Sequence, residues 1–195
     1  CSNSTNSVVV VNPLPTPFIV GNDIICQGTT TTYSTGSYAS YVWSNGSTSN
    51  SITVGAAGNY LVTVTNVNGC VNSATTTLTV NELPTITLSG SNAICIGQST
   101  QVTLNFTGTA PFNYSYSNGS TTSPVQVSST NSAVFNVSPQ VSTIYTPVTI
   151  SDAICVGTVT GAASIVVNPL PQPIISGGLV ICEGENTILS TQGGY

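Results

Sequence analysis

The sequence predicts an all-β chain of tandem antiparallel β-sandwiches joined by short proline-rich linkers. Three observations carry that prediction. A motif occurs three times, as Val11-Asn12-Pro13-Leu14-Pro15-Thr16-Pro17, Val80-Asn81-Glu82-Leu83-Pro84-Thr85 and Val167-Asn168-Pro169-Leu170-Pro171-Gln172-Pro173. A cysteine follows each copy at a constant distance, because Cys26, Cys95 and Cys182 each lie 14 residues beyond the motif's asparagine. Apolar residues alternate with Thr and Ser at period two, the pattern of half-buried strands, and no helical period occurs. Fixed self-similarity marks a tandem array. The copies stand 69 and 87 residues apart, a unit size that buries a smaller share of its surface than a large domain does. Support from a crosslink or a neighbouring unit is therefore expected.

Residues 1–13 read as the last strand of a preceding domain, since Val8 to Val11 is β-branched and stops at Pro13. A first sandwich spans residues 14–82. Its expected strands are Phe18–Val20, Ile24–Cys26, Thr29–Tyr33, Tyr41–Trp43, Ser51–Val54, Tyr60–Thr65 and a closing strand through Ala74, Thr76, Leu78 and Val80. Gly21-Asn22-Asp23, Gln27-Gly28, Asn45-Gly46 and Asn68-Gly69 punctuate them, and Asn-Gly is a strong hairpin signal. A second sandwich spans residues 83–170 and repeats the plan: Tyr114-Ser115-Tyr116-Ser117-Asn118-Gly119 matches Tyr41-Val42-Trp43-Ser44-Asn45-Gly46. Its extra length falls between Ser120 and Tyr145, which predicts an added strand or a long loop. Pro147 interrupts the strand after Tyr145, which predicts a bulge or an edge position. Residues 171–195 begin a further unit that cannot close a sandwich alone, so the reading is of a segment from a longer array.

Two aromatic pairs specify the kind of sandwich. Trp43 falls on the third strand, where immunoglobulin-like domains bury a tryptophan, and Tyr60 follows a Gly-rich corner at the start of the sixth, where a tyrosine corner sits. Tyr116 and Tyr145 hold the equivalent places in the second unit. All four read as structural core residues.

The charge inventory excludes whole classes of function. The chain has no Lys, Arg or His, and its only acids are Asp23, Glu82, Asp152, Glu183 and Glu185. Nucleic-acid binding depends on cationic side chains, and so does electrostatic attachment to anionic lipid. No apolar run reaches the roughly 20 residues of a membrane-spanning helix. Without His or Lys there is no Ser–His–Asp triad, Cys–His pair or Ser–Lys pair, and the sparse acids offer no facing carboxylates for acid–base work. The expectation is therefore no catalytic residue and no cofactor. Zinc prefers closely spaced Cys and His, whereas these six cysteines are separated by 25, 44, 25, 60 and 27 residues, so no metal site is expected. Asp23 or Asp152 could at most supply a weak calcium ligand. Asn-x-Ser/Thr occurs at Asn3, Asn45, Asn105, Asn113, Asn118 and Asn136, as chance allows in so Asn-rich a chain. A Lys–Asn isopeptide crosslink is excluded.

Cysteines without metal-like spacing point to disulfides and an oxidising, extracellular compartment. The candidates are Cys1, Cys26, Cys70, Cys95, Cys155 and Cys182. One pairing is internal to each unit, Cys26–Cys70 and Cys95–Cys155. The alternative is Cys26–Cys155, which suits a head-to-tail array if the two cysteines of one unit lie at opposite poles.

Ile25-Cys26-Gln27-Gly28, Ile94-Cys95-Ile96-Gly97 and Ile181-Cys182-Glu183-Gly184, with Tyr41–Gly46 and Asn68-Gly69-Cys70, resemble the Ig-like repeats of large secreted surface adhesins of Bacteroidota. These include gliding-motility adhesins exported by the type IX system. The second unit departs from the pattern at Tyr116 and at Asp152-Ala153-Ile154-Cys155. The resemblance implies a cell-surface stalk or filament whose partners are neighbouring domains or identical subunits. Two other roles stay open. One is a module that binds a surface glycan or protein through Ala39–Tyr41 or the Ser120–Ser142 insertion, where Phe135 is the only aromatic. The other is an accessory domain of a secreted polysaccharide-degrading enzyme.

Overall fold

The computed structural model describes residues 8–177 and 180–192. Cys1 and the Asn3 sequence lie outside them. The chain divides into two compact units, Cys1–Leu83 and Pro84–Tyr195.

The first unit carries β1 (Ile24–Cys26), β2 (Thr31–Ser34), β3 (Ser40–Trp43), β4 (Ser51–Val54), β5 (Gly58–Thr65) and β6 (Val71–Asn81). The hydrogen-bonded order is β1-β6-β5-β3 in one sheet and β2-β4 in the other. In β6, Ala74, Thr76, Leu78 and Val80 turn inward while Thr75, Thr77 and Thr79 stay exposed, as period two requires. Tyr33, Trp43, Ile52, Val54, Val62, Val64 and Leu78 form the core.

Two expected strands of this unit do not form. Phe18–Val20 contributes only an isolated bridge between Val20 and Ser34, and Phe18 is exposed. Pro13, Pro15 and Pro17 remove every second amide from this stretch, so no ladder can extend along it. Val8 to Val11 join no strand and are 74–88 % exposed. Strand propensity expresses a fit to a neighbouring pleated surface, and this run has no such neighbour among the described residues.

The second unit contains β7 (Thr85–Ser89), β8 (Asn92–Cys95), β9 (Thr100–Thr107), β10 (Phe112–Ser117), β11 (Gln126–Ser128), β12 (Ser132–Val137), β13 (Thr143–Ser151), β14 (Thr158–Gly161) and β15 (Ala163–Asn168). Here a single proline, Pro84, precedes the opening strand, and β7 forms in full. The sheets run β11-β10-β13-β15-β8 and β12-β9-β7-β14. Ile86, Leu88, Val102, Leu104, Phe106, Phe112, Ile150 and Ile165 fill the space between them. The additional length after Ser120 becomes β11 and β12, one in each sheet. Pro147 sits at a bulge, because the ladder steps from Ser115↔Thr149 to Tyr116↔Pro147 and leaves Val148 over. It lies in a central strand, not at an edge. Gly161, at φ +82°, is where the chain leaves one sheet for the other. A short hairpin of β16 (Ile174–Ser176) and β17 (Ser190–Gln192) follows.

Most ladders are antiparallel. The exceptions are β1 on β6, β8 on β15 and β14 on β7, all parallel.

Candidate functional site: the cysteine-bearing loops

Each Ile-Cys-x-Gly copy closes the same turn. The amides of Thr29, Gln98 and Glu185 donate to the carbonyls of Cys26, Cys95 and Cys182 at 3.0, 3.0 and 3.1 Å. Gly28, Gly97 and Gly184 take φ of +84°, +87° and +88°, the third position of a type II turn, which only glycine fills without strain. Within each sandwich this motif pairs with the Val-Asn motif at the end of the closing strand. Cys26 lies opposite Asn81 and Cys95 opposite Asn168. The next amides, of Gln27 and Ile96, donate to the asparagine carbonyls at 2.8 and 2.9 Å. The two recurrent motifs are thus one structural element.

The closing cysteines sit in a second recurrent loop. Asn66 Oδ1 accepts the amides of Asn68 and Cys70 at 3.0 and 2.9 Å. Asp152 Oδ1 accepts those of Ile154 and Cys155 at 2.8 and 2.7 Å, and its Oδ2 accepts that of Thr109 at 3.1 Å. Burial works to raise the Asp152 pKa, but the amide donors outweigh it and hold the carboxyl below its ordinary value. Sequence reasoning missed this role. The available signal was an Asx residue opening each loop, at Asn66 and at Asp152.

The same loop clamps the proline motif within the first unit. Asn66 Nδ2 donates to the Pro13 carbonyl at 3.0 Å and Asn72 Nδ2 to that of Pro15 at 2.8 Å. Cys70 Sγ lies 3.8 Å from the Asn12 carbonyl oxygen. In the second unit the Thr158 amide donates to Pro84 O at 3.0 Å. The carbonyls of these prolines are thus held by side chains and an amide of the sandwich they lead into.

Cys70, Cys95 and Cys182 are free thiols, whereas Cys26 and Cys155 are disulfide-bonded. The within-unit bonds Cys26–Cys70 and Cys95–Cys155 are therefore not formed. Strand register gives the reason. Cys26 pairs beside Asn81, at one end of the 11-residue β6, while Cys70 immediately precedes the other end. At about 3.3 Å per residue that separation is roughly 36 Å, against about 7 Å between Cα atoms for a disulfide. In the second unit Cys95 lies opposite Asn168, beyond the Thr143 end of β13, and Cys155 lies past its Ser151 end.

Of the remaining predicted residues, Trp43 and Tyr145 are buried in the cores, and Tyr60 and Tyr116 pack half-buried against them. Trp43 is 2 % exposed and its indole donates to Ser49 O at 2.8 Å. The Tyr60 hydroxyl donates to Ala56 O at 2.8 Å, and its ring lies against Tyr33. Tyr116 stacks on Phe135, and Phe135 meets Tyr145 edge-on. Asp23 accepts the hydroxyls of Tyr33 at 2.9 Å and Thr76 at 2.7 Å. Burial and this carboxylate push the Tyr33 phenol up to about 12. Among the described residues no three His, Cys, Asp or Glu side chains converge, and no helix is long and apolar enough to cross a membrane.

This architecture is similar to an I-band fragment of titin at a TM-score of 0.53, with 18 % identity over 94 % of this chain and 77 % of that one. An E-to-A variant of a three-Ig titin fragment gives the same score, with 17 % identity over 92 % and 76 %. The fold is immunoglobulin-like. A structure from a 1.5-MDa bacterial ice-binding adhesin also matches, at a TM-score of 0.42 and 16 % identity over 82 % and 67 %. No family model and no curated protein matches the chain.

Proposed function

We propose that the chain is a non-catalytic, load-transmitting segment of an extracellular repeat adhesin, a stalk or filament built of Ig-like units. The observation that carries this reading is the hold on the proline motif's carbonyls, by Asn66 and Asn72 on Pro13 and Pro15 in the first unit and by the Thr158 amide on Pro84 in the second. A linker held at its carbonyls, with φ fixed at each proline, is a stiff joint. The sequence resemblance to Bacteroidota surface repeats supports a cell-surface setting, and so does the presence of a disulfide.

The disulfide deepens the reading. Of the two pairings open in the sequence, we propose Cys26–Cys155, since Cys70, Cys95 and Cys182 are free; Cys1 lies outside the described residues, and a bond to it is the outcome that would speak against this pairing. Glu82 allows a direct test, because it is exposed and stands between the two cysteines in sequence. The free thiols are blocked, the chain is denatured, and a glutamate-specific protease is added. The fragments on either side of Glu82 should migrate together without reductant and separate with it. Separation without reductant would overturn the assignment. Changing both Asn66 and Asn72 to Ala is expected to speed amide hydrogen exchange at Leu14 and Thr16; an unchanged rate would sink the clamp.

A further inference from the structure

We propose that the second unit carries a binding site for a single neutral sugar ring, between the ends of β10 and β12 and beside Tyr145 of β13. A cavity of about 320 Å³ opens there, at the small end of the range for ligand pockets and too small for an extended peptide. Its apolar wall is aromatic. Tyr116 and Phe135 stack at 4.1 Å between centroids, and Tyr145 stands edge-on to Phe135 at 6.1 Å. Its rim is amide and hydroxyl: Asn118, Ser123 and Asn136. No charged residue lines it, which selects against an ionic ligand. Apolar ring faces beside uncharged donors and acceptors match a pyranose, which presents C–H faces and a girdle of hydroxyls.

Tyr145 supplies the independent observation. It is 8 % exposed and lines the cavity, yet its hydroxyl has no hydrogen-bond partner in the protein. The equivalent hydroxyl in the first unit, that of Tyr60, is taken up by the carbonyl four residues before it. The carbonyl four residues before Tyr145 belongs to Val141, and Thr143 Oγ1 already donates to it at 2.7 Å. Nor is the Tyr145 oxygen sealed from solvent: among the described residues the only sealed, unpartnered side-chain oxygen is Thr35 Oγ1. The bulge opposite Tyr116 sets the local spacing, because one residue of β13 is skipped between the partners of Ser115 and Tyr116. The phenol is thus released from the corner it serves in the first unit and left for a ligand.

Saturation-transfer NMR on the full chain, with N-acetylglucosamine and methyl β-glucoside as probes, tests the site. Transfer to the ring protons of at least one sugar is expected at millimolar concentration. Tyr145→Phe should weaken its binding at least fivefold with an unchanged melting temperature, Asn136→Ala should weaken it as well, and Tyr60→Phe should leave it unaltered. Absence of transfer from both sugars, equal binding by Tyr145→Phe, or displacement of the sugar only by a proline-rich peptide would each overturn the proposal.

Discussion

Asp152 Oδ1 accepts the backbone amide of Cys155 at 2.7 Å, and this one oxygen fixes the loop that presents the cysteine. Removing the carboxylate takes the acceptor from the amides of Cys155, Ile154 and Thr109 together. Asp152→Ala should therefore destabilise the second unit by about 3 kcal/mol, while Asp152→Asn keeps one acceptor oxygen and should cost about 1 kcal/mol. Urea unfolding followed by circular dichroism measures both.

The same carboxylate sets an acid limit. Its folded pKa lies below the ordinary value of 3.8, so folding favours the ionised form. The stabilisation is present in full above the unfolded pKa and is lost as pH falls through the folded one. Urea midpoints taken downward from pH 5 should fall more steeply in the wild type than in Asp152→Asn. Parallel curves would show that another group sets the acid limit.

Tyr33 sets the corresponding alkaline limit in the first unit. Its phenol is pushed from 10.0 up to about 12 by burial and by Asp23. The folded state therefore holds the proton more tightly. This contribution is complete below pH 10 and is lost as pH rises towards 12, amounting to about 3 kcal/mol. Phenolate absorbance should show late-titrating tyrosines, Tyr33 with Tyr114 and Tyr145, whose phenols burial also raises, and Tyr33→Phe should reduce that late step by one tyrosine.

The chain's lack of Lys and Arg predicts complete resistance to trypsin, folded or denatured. Mass spectrometry of a digest should return the intact chain. Maleimide without reductant should label exposed Cys95 rapidly and half-buried Cys70 slowly, and should leave Cys26 and Cys155 unmodified.

What the sequence made legible was local. Asn-Gly and Cys-x-Gly turns, the alternation through Ala74 to Val80 and the interruption at Pro147 all depend on a few neighbouring residues, and the structure places turns, strand faces and a bulge there. What stayed hidden depends on register across the sandwich. The parallel pairing of Cys26 with Asn81 joins two motifs 55 residues apart, and nothing local announces it. That Cys26 and Cys70 fall at opposite poles already follows from a simple Ig-like strand order, but the size of the separation is fixed only by that pairing. Asn66 likewise looks like any loop asparagine until Pro13 is brought against it. The cavity beside Phe135 arises because an aromatic from the insertion meets two others from the repeated framework.

Tyr60 and Tyr145 offer a comparison within one molecule. They are equivalent by position, but only the first makes the corner hydrogen bond, to Ala56 at 2.8 Å. Removing the Tyr60 hydroxyl leaves a loop carbonyl without its donor and should cost about 1 kcal/mol. Removing that of Tyr145 deletes a hydroxyl that reaches solvent and makes no hydrogen bond to the protein. The phenylalanine variant should therefore match the wild type in stability. Thermal melts of Tyr60→Phe and Tyr145→Phe measured side by side decide the matter. A loss at Tyr145 equal to that at Tyr60 would mean that its hydroxyl has a structural partner in solution, and the two corners would then be alike.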